Sequence, residues 1–188
     1  MSRDFGNSSW SSAWRFRIRR QISIVIVSTL GLYSCSDVPE PGTASRDPSP
    51  LFGDLRSYRT LEEVKDQLPE RSTWQIRWED ESKARPGCPR FKELTFAVGA
   101  DHLGQHGDLQ LTFINDRLLS TAFMPDDFAS YVSRLEQGGI KFDGDGEADI
   151  PPATLVWQYD RKNPIRPFVG WRDTRFSKEV DAWVERCA

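Results

Sequence analysis

Histidine and cysteine are nearly missing from this chain, at two and three residues in 188, and their spacing supplies neither a His-Glu-x-x-His helix nor a Cys-x-x-Cys pair. Those gaps exclude a common zinc-hydrolase signature and leave no obvious neighbour to lower a thiol pKa. A Gly-x-Ser-x-Gly nucleophile elbow, a phosphate-binding loop and a dinucleotide fingerprint are absent as well. A helix needs about 20 apolar residues to cross a hydrocarbon core, and the run from Ile22 to Leu32 has roughly half of that. The enzymatic route left open is a pair of scattered Asp or Glu residues brought together by the fold, which would make the chain a secreted hydrolase of unknown class.

What the chain does have begins at its N-terminus. Arg15, Arg17, Arg19 and Arg20 precede the apolar run, which stops at Leu32-Tyr33-Ser34-Cys35. Basic residues followed by a short apolar stretch form an export signal, the charge holding the start of the chain on the cytoplasmic side. The segment resembles a bacterial lipoprotein leader, in which an apolar, a variable and a small residue precede a cysteine that is diacylated and becomes the mature N-terminus. Leu32, Ser34 and Cys35 match that pattern. The resemblance implies a signal peptide over residues 1–34, a lipid on Cys35 and attachment to a bacterial membrane. Ser36 resembles the outer-membrane address of enteric lipoproteins, which implies the periplasmic face of that membrane. Without Met1 to Ser34 the basic count falls from 25 to 20 and the acidic count from 28 to 27, a net charge of −7. That balance argues against nucleic acid and against an electrostatic grip on anionic lipid, so the acyl chains alone are expected to hold the membrane.

The export reading sorts the cysteines. With Cys35 acylated, Cys88 and Cys187 are an even pair in an oxidising compartment and are expected to bridge, two free thiols being the alternative. Cys187 shares a helical face with Val180, Trp183 and Val184, which turns its sulfur inward.

Residues 35–50 are rich in Pro and Ser and offer almost nothing to bury, so they read as a tether of about 20 Å reach ahead of a globular domain over residues 51–188. Thr60-Leu61-Glu62-Glu63 is a capping box for a short helix that Pro69 stops. Trp74, Ile76 and Trp78 alternate with polar residues, as do Leu94, Phe96 and Val98, then Leu109, Leu111 and Phe113, each with the period of a half-buried strand. Asn115-Asp116 suits a tight hairpin returning through Leu118 to Phe123. A second helix opens at Pro125-Asp126-Asp127 and carries Phe128, Tyr131, Val132 and Leu135 on one face. Leu155 to Tyr159 and Phe168 to Trp171 form a last strand pair before a helix from about Ser177 to Cys187. The expected fold is α+β, a single antiparallel sheet with helices packed on one face.

Thr60 with Val64, then Trp74, then Leu109 to Phe113 and Leu118 after the turn resemble the small outer-membrane lipoproteins of the SmpA/BamE type. The resemblance implies an accessory role in the assembly of outer-membrane barrels.

Two loops carry residues with ligand chemistry. His102 and His106 stand with Asp101 and Asp108 in Gly99 to Asp108; a solvated hairpin loop is one reading, and a zinc or acid/base site the other. Asp143-Gly144-Asp145-Gly146-Glu147-Ala148-Asp149-Ile150 resembles the calcium loops of FG-GAP repeats, which implies that Asp143, Asp145 and Asp149, with Glu147 between them, converge on one hard cation; an unliganded acidic turn is the alternative. Trp78 and Trp171 are candidates for a peptide groove or an open sheet edge. The chain therefore reads as a lipid-anchored, non-catalytic module of the cell envelope that binds a periplasmic protein or peptidoglycan. A calcium-binding envelope protein is the alternative, with calcium as the one cofactor the loops admit.

Overall fold

A computed structural model describes residues 38–44, 46–68, 74–82, 85–160 and 166–188; the leader and Cys35 lie outside them. Thr60 opens the first helix, α1 (Leu61–Gln67), where its side chain accepts from the Glu63 N–H and the Glu63 carboxylate accepts from the Thr60 N–H at 2.8 Å. The helix ends at Leu68, whose extended backbone is what a following proline imposes.

Two antiparallel meanders follow. The first is β1 (Gln75–Ser82), β2 (Phe91–His102), β3 (Gln105–Ile114) and β4 (Arg117–Pro125). Helix α2 (Phe128–Gln137) leads to the second, β5 (Glu147–Ile150), β6 (Thr154–Tyr159) and β7 (Phe168–Asp173), and α3 (Thr174–Cys187) closes the chain. The meanders join where β7 pairs with β4, giving one seven-stranded sheet in the order β1-β2-β3-β4-β7-β6-β5. The α+β expectation with a single antiparallel sheet is met.

Strand alternation decides what the sheet buries. Phe96, Leu111 and Thr121 lie side by side across β2, β3 and β4, as do Val98, Leu109 and Phe123, and the apolar members of both rows join a cluster with Val64 of α1 and with Tyr131 and Leu135 of α2. The opposite parity supplies Phe91 and Ile114 to a second cluster, which Leu119 joins, with Phe176, Trp183 and Cys187 of α3. A bulge makes both possible on β4: Phe113 pairs with Leu118 and Thr112 with Ser120, so consecutive Leu118 and Leu119 each find a core. The helices thus divide between the two clusters instead of sharing one face. Helix α3 starts three residues earlier than expected because Asp173 caps it, and Val184, expected inward, is 43% exposed.

Cys88 and Cys187 are bridged, with Cα atoms 5.8 Å apart. Trp183 beside them stacks on Phe91 and donates its indole N–H to the Pro89 carbonyl at 2.9 Å.

Residues 38–44 and 46–50 are not the free tether that their composition suggests. The Gly42 N–H and the Arg46 guanidinium donate to the Glu179 carboxylate, each at 3.0 Å, and Arg175 donates to the Asp47 carbonyl at 2.7 Å. Val38 packs on the second cluster. The polar segment satisfies its backbone on charged side chains of α3, which a reading by hydropathy does not register.

Candidate functional site

His102 and His106 do not meet. The strands run on to a two-residue turn in which Leu103 and Gly104 both have positive φ, and this makes Asp101 the cross-strand partner of His106, and Gln105 that of His102. Alternation then sends the two imidazoles to opposite faces. His106 is exposed and lies 2.9 Å from the Asp101 carboxylate; that hydrogen bond and charge raise its pKa. His102 is half-buried, packs on Phe52 and shares a 2.7 Å hydrogen bond with the Tyr131 hydroxyl. Burial lowers the His102 pKa and raises that of Tyr131, favouring the neutral form of each. Asp108 turns to Arg166 at 2.9 Å. The segment read as a solvated hairpin loop is a tight turn between paired strands, and Asp101, His102, His106 and Asp108 serve three separate interactions.

The acidic segment closes on itself. One Asp143 oxygen accepts from the N–H groups of Asp145 and Glu147, both at 2.9 Å, while the Asp143 N–H donates to the Glu147 carbonyl at 2.8 Å. From Glu147 the chain is strand β5, paired with β6. Among the described residues no three His, Cys, Asp or Glu side chains are grouped to hold a metal ion, so Asp143, Asp145, Glu147 and Asp149 do not form the expected convergent set. Glycines here serve a turn, Gly146 taking positive φ, and the strand pulls the later residues straight.

A different polar cluster lies under the N-terminus of α3. Asp173, Ser57 and Ser49 are buried. The Asp173 carboxylate accepts from the Ser57 hydroxyl at 2.8 Å, from the Arg175 guanidinium at 2.9 Å and from the Arg175 and Phe176 N–H groups that it caps. Burial alone would raise its pKa, but the hydrogen bonds from Arg175, Ser57 and Ser49 outweigh that and hold it below the usual carboxylate value. The Ser57 hydroxyl also accepts from the Ser49 N–H at 2.8 Å. A Ser, an Asp and an Arg in hydrogen-bond sequence invite a catalytic reading, yet Ser57 is sealed from solvent and its proton is held by Asp173, so the cluster docks a segment. Tyr58 acts beside it, stacking on Phe176 and donating its hydroxyl to Glu179 at 3.0 Å; burial first, and the Glu179 charge next, push its pKa well up. The Asp173-Thr174 start of α3 was the one signal in the sequence for this cluster, through the N-cap preference of Asp; its partners are more than a hundred residues away.

Two open clefts flank residues 38–46. One, of about 530 Å³, is lined by Arg46, Tyr58, Arg59, Glu63 and Arg117 among others. The other, of about 400 Å³, lies against α3 and includes Arg46, Arg175, Lys178 and Arg186.

The remaining accessible feature is strand β1. It ends the strand order and, among the described residues, pairs with β2 alone. Ile76 is 62% and Trp78 38% exposed, and a register shift between them turns Trp78 to pair with Thr95 while Ile76 pairs with Phe96. Farther along, Glu79 bonds Lys92 at 2.7 Å and Glu81 bonds Arg90 at 2.9 Å. Trp171, the other tryptophan considered for a groove, is a core residue.

No family model, curated protein or solved structure matches the chain.

Proposed function

We propose that this chain is an exported, lipid-anchored and non-catalytic module of the bacterial cell envelope, acylated at Cys35, which binds an envelope protein by adding a strand of that partner to β1. The observation that carries the binding half is the open edge at Gln75–Trp78, where backbone groups for pairing stand beside exposed Ile76 and Trp78. Backbone hydrogen bonds along such an edge give affinity, and the flanking apolar side chains give selectivity. The Cys88–Cys187 bridge supports export, because such bonds persist in oxidising compartments. The resemblance of Thr60 to Phe123 to the SmpA/BamE lipoproteins agrees with an assembly role, and the stretch contributes α1 and β1 to β4. Peptidoglycan as the partner has no feature at this edge to favour it.

The test is site-directed photocrosslinking in cells producing the full chain. A photoreactive residue at position 76 is expected to give a discrete adduct that the same residue at exposed Leu103 does not, and an adduct common to both positions, or to neither, would remove the edge from consideration. Palmitate-analogue labelling that is lost in Cys35→Ala tests the anchor independently.

A further inference from the structure

The described residues begin at Val38, three residues after the cysteine proposed to carry the lipid. Three residues span at most about 11 Å, so whatever chemistry attaches at Cys35 holds its membrane close to Val38, whatever path the intervening residues take. The surface there runs against the acidic character of the chain. Arg175, Lys178 and Arg186 recur on α3 at spacings of three and eight, and with Arg46 and the acid Glu179 they line the cleft that Val38 also lines. Asp181 and Glu185, three and seven residues after Lys178, flank it on its outer side. Across residues 38–46 the second cleft adds Arg59 and Arg117.

Some of this charge is already used. Arg46 pairs with Glu179, Arg175 with Asp173, and Arg59 with Glu63. Lys178 and Arg186 are exposed and have no hydrogen-bond or ion-pair partner among the described residues. Two uncommitted cations therefore line the cleft that Val38 also lines, and a headgroup layer holding Cys35 lies no more than about 11 Å of chain from Val38.

We propose that the α3 cleft is a membrane-facing seat whose Lys178 and Arg186 take the phosphates of anionic lipid headgroups, so that the acyl anchor and α3 together fix the domain's orientation on the bilayer and leave β1 free for its partner. This rests on the lipid-anchor reading, and it replaces the expectation that the acyl chains hold the membrane unaided. Each basic residue at an anionic surface is worth about 1 kcal/mol, roughly fivefold in occupancy, and the attraction is screened by salt.

The test uses the processed protein purified from membranes and measures acylation of individual lysines by an amine reagent. Samples are compared in detergent, in phosphatidylcholine vesicles and in phosphatidylcholine vesicles containing phosphatidylglycerol. Lys178 is expected to be protected on the phosphatidylglycerol vesicles alone, to lose that protection at high salt, and to lose up to about fivefold of it in Arg186→Gln, while exposed Lys141 reacts equally throughout. Equal reaction of Lys178 in all three samples would overturn the seat. Protection by inorganic phosphate in detergent, with no gain on the anionic vesicles, would also overturn it in favour of a small-anion site. The mass of the N-terminal peptide, read in the same samples, reports the acyl group, so an unacylated Cys35 identifies failure of the anchor reading separately.

Discussion

Helix α3 and strand β1 lie at opposite extremes of constraint in one small protein. The helix is bonded to the loop before β2 by a disulfide, capped by a buried carboxylate, stacked through Phe176 and Trp183 on two other aromatic rings, and bonded to Gly42, Arg46 and Asp47 of the N-terminal segment. The strand has β2 as its sole pairing partner among the described residues and exposes its largest apolar side chain. The contrast teaches that this chain spends its covalent and polar cross-links on the place where its N-terminal segment docks, and leaves accessible a backbone edge that would ordinarily be guarded. The far edge, β5, shows the guarded solution: it is four residues long and is held at its start by the Asp143 turn.

Breaking the disulfide should erode this contrast most. Cys187→Ser is expected to lower the unfolding free energy by about 2–5 kcal/mol, read as a fall in the urea midpoint, since the bridge closes a loop with a sequence separation of 99. A midpoint unchanged in the variant would mean that packing alone secures α3.

Asp173→Asn should cost about 2 kcal/mol, because Asn can still cap the helix but no longer bears the charge that Arg175 and Ser57 bond. The sign with pH follows from the depressed folded pKa. The stabilisation is fully present above the unfolded carboxylate value and disappears as pH falls through the folded one. Stability measured down the acid range should therefore fall for the wild-type protein and converge on that of the variant; parallel curves would show that the charge is not what counts.

The smallest stability effect belongs to the edge. Ile76→Thr and Trp78→Thr should each shift stability by no more than about 0.5 kcal/mol, since both side chains are substantially exposed and Thr suits a strand. Photocrosslinking from a neighbouring position should nonetheless fall in both. A large loss of stability would place these residues in the fold's own energetics and blur the distinction with α3.

How much of this was legible in the sequence depends on the range of the interaction. The capping box at Thr60, the stripe Phe128, Tyr131, Val132, Leu135 and the turn at Asn115-Asp116, where both residues take positive φ, are written within a few residues and were readable. The Cys88–Cys187 pair was readable by counting, once Cys35 was set aside. The docking of residues 38–44 and 46–50 was not, because a polar, proline-rich stretch can be held by a few charged side chains far along the chain, here Arg175 and Glu179. Strand β5 was hidden by the resemblance of its first residues to a cation loop. The histidine segment was readable as a hairpin, but the tightness of its turn was not, because Leu103 adopts a positive φ that bulky residues rarely do.

The disulfide also sets a load path. Strands β2 to β7 all lie between Cys88 and Cys187, inside a covalently closed loop, whereas residues 38–50, α1 and β1 precede it. A pull applied at the N-terminal segment against a partner gripping β1 is transmitted through the chain before Cys88 and cannot draw out the six strands beyond it. Stretched from residue 38 to the C-terminus, the oxidised protein can lengthen to no more than about 180 Å, and most of the sheet behaves as an inextensible block behind a short compliant strap.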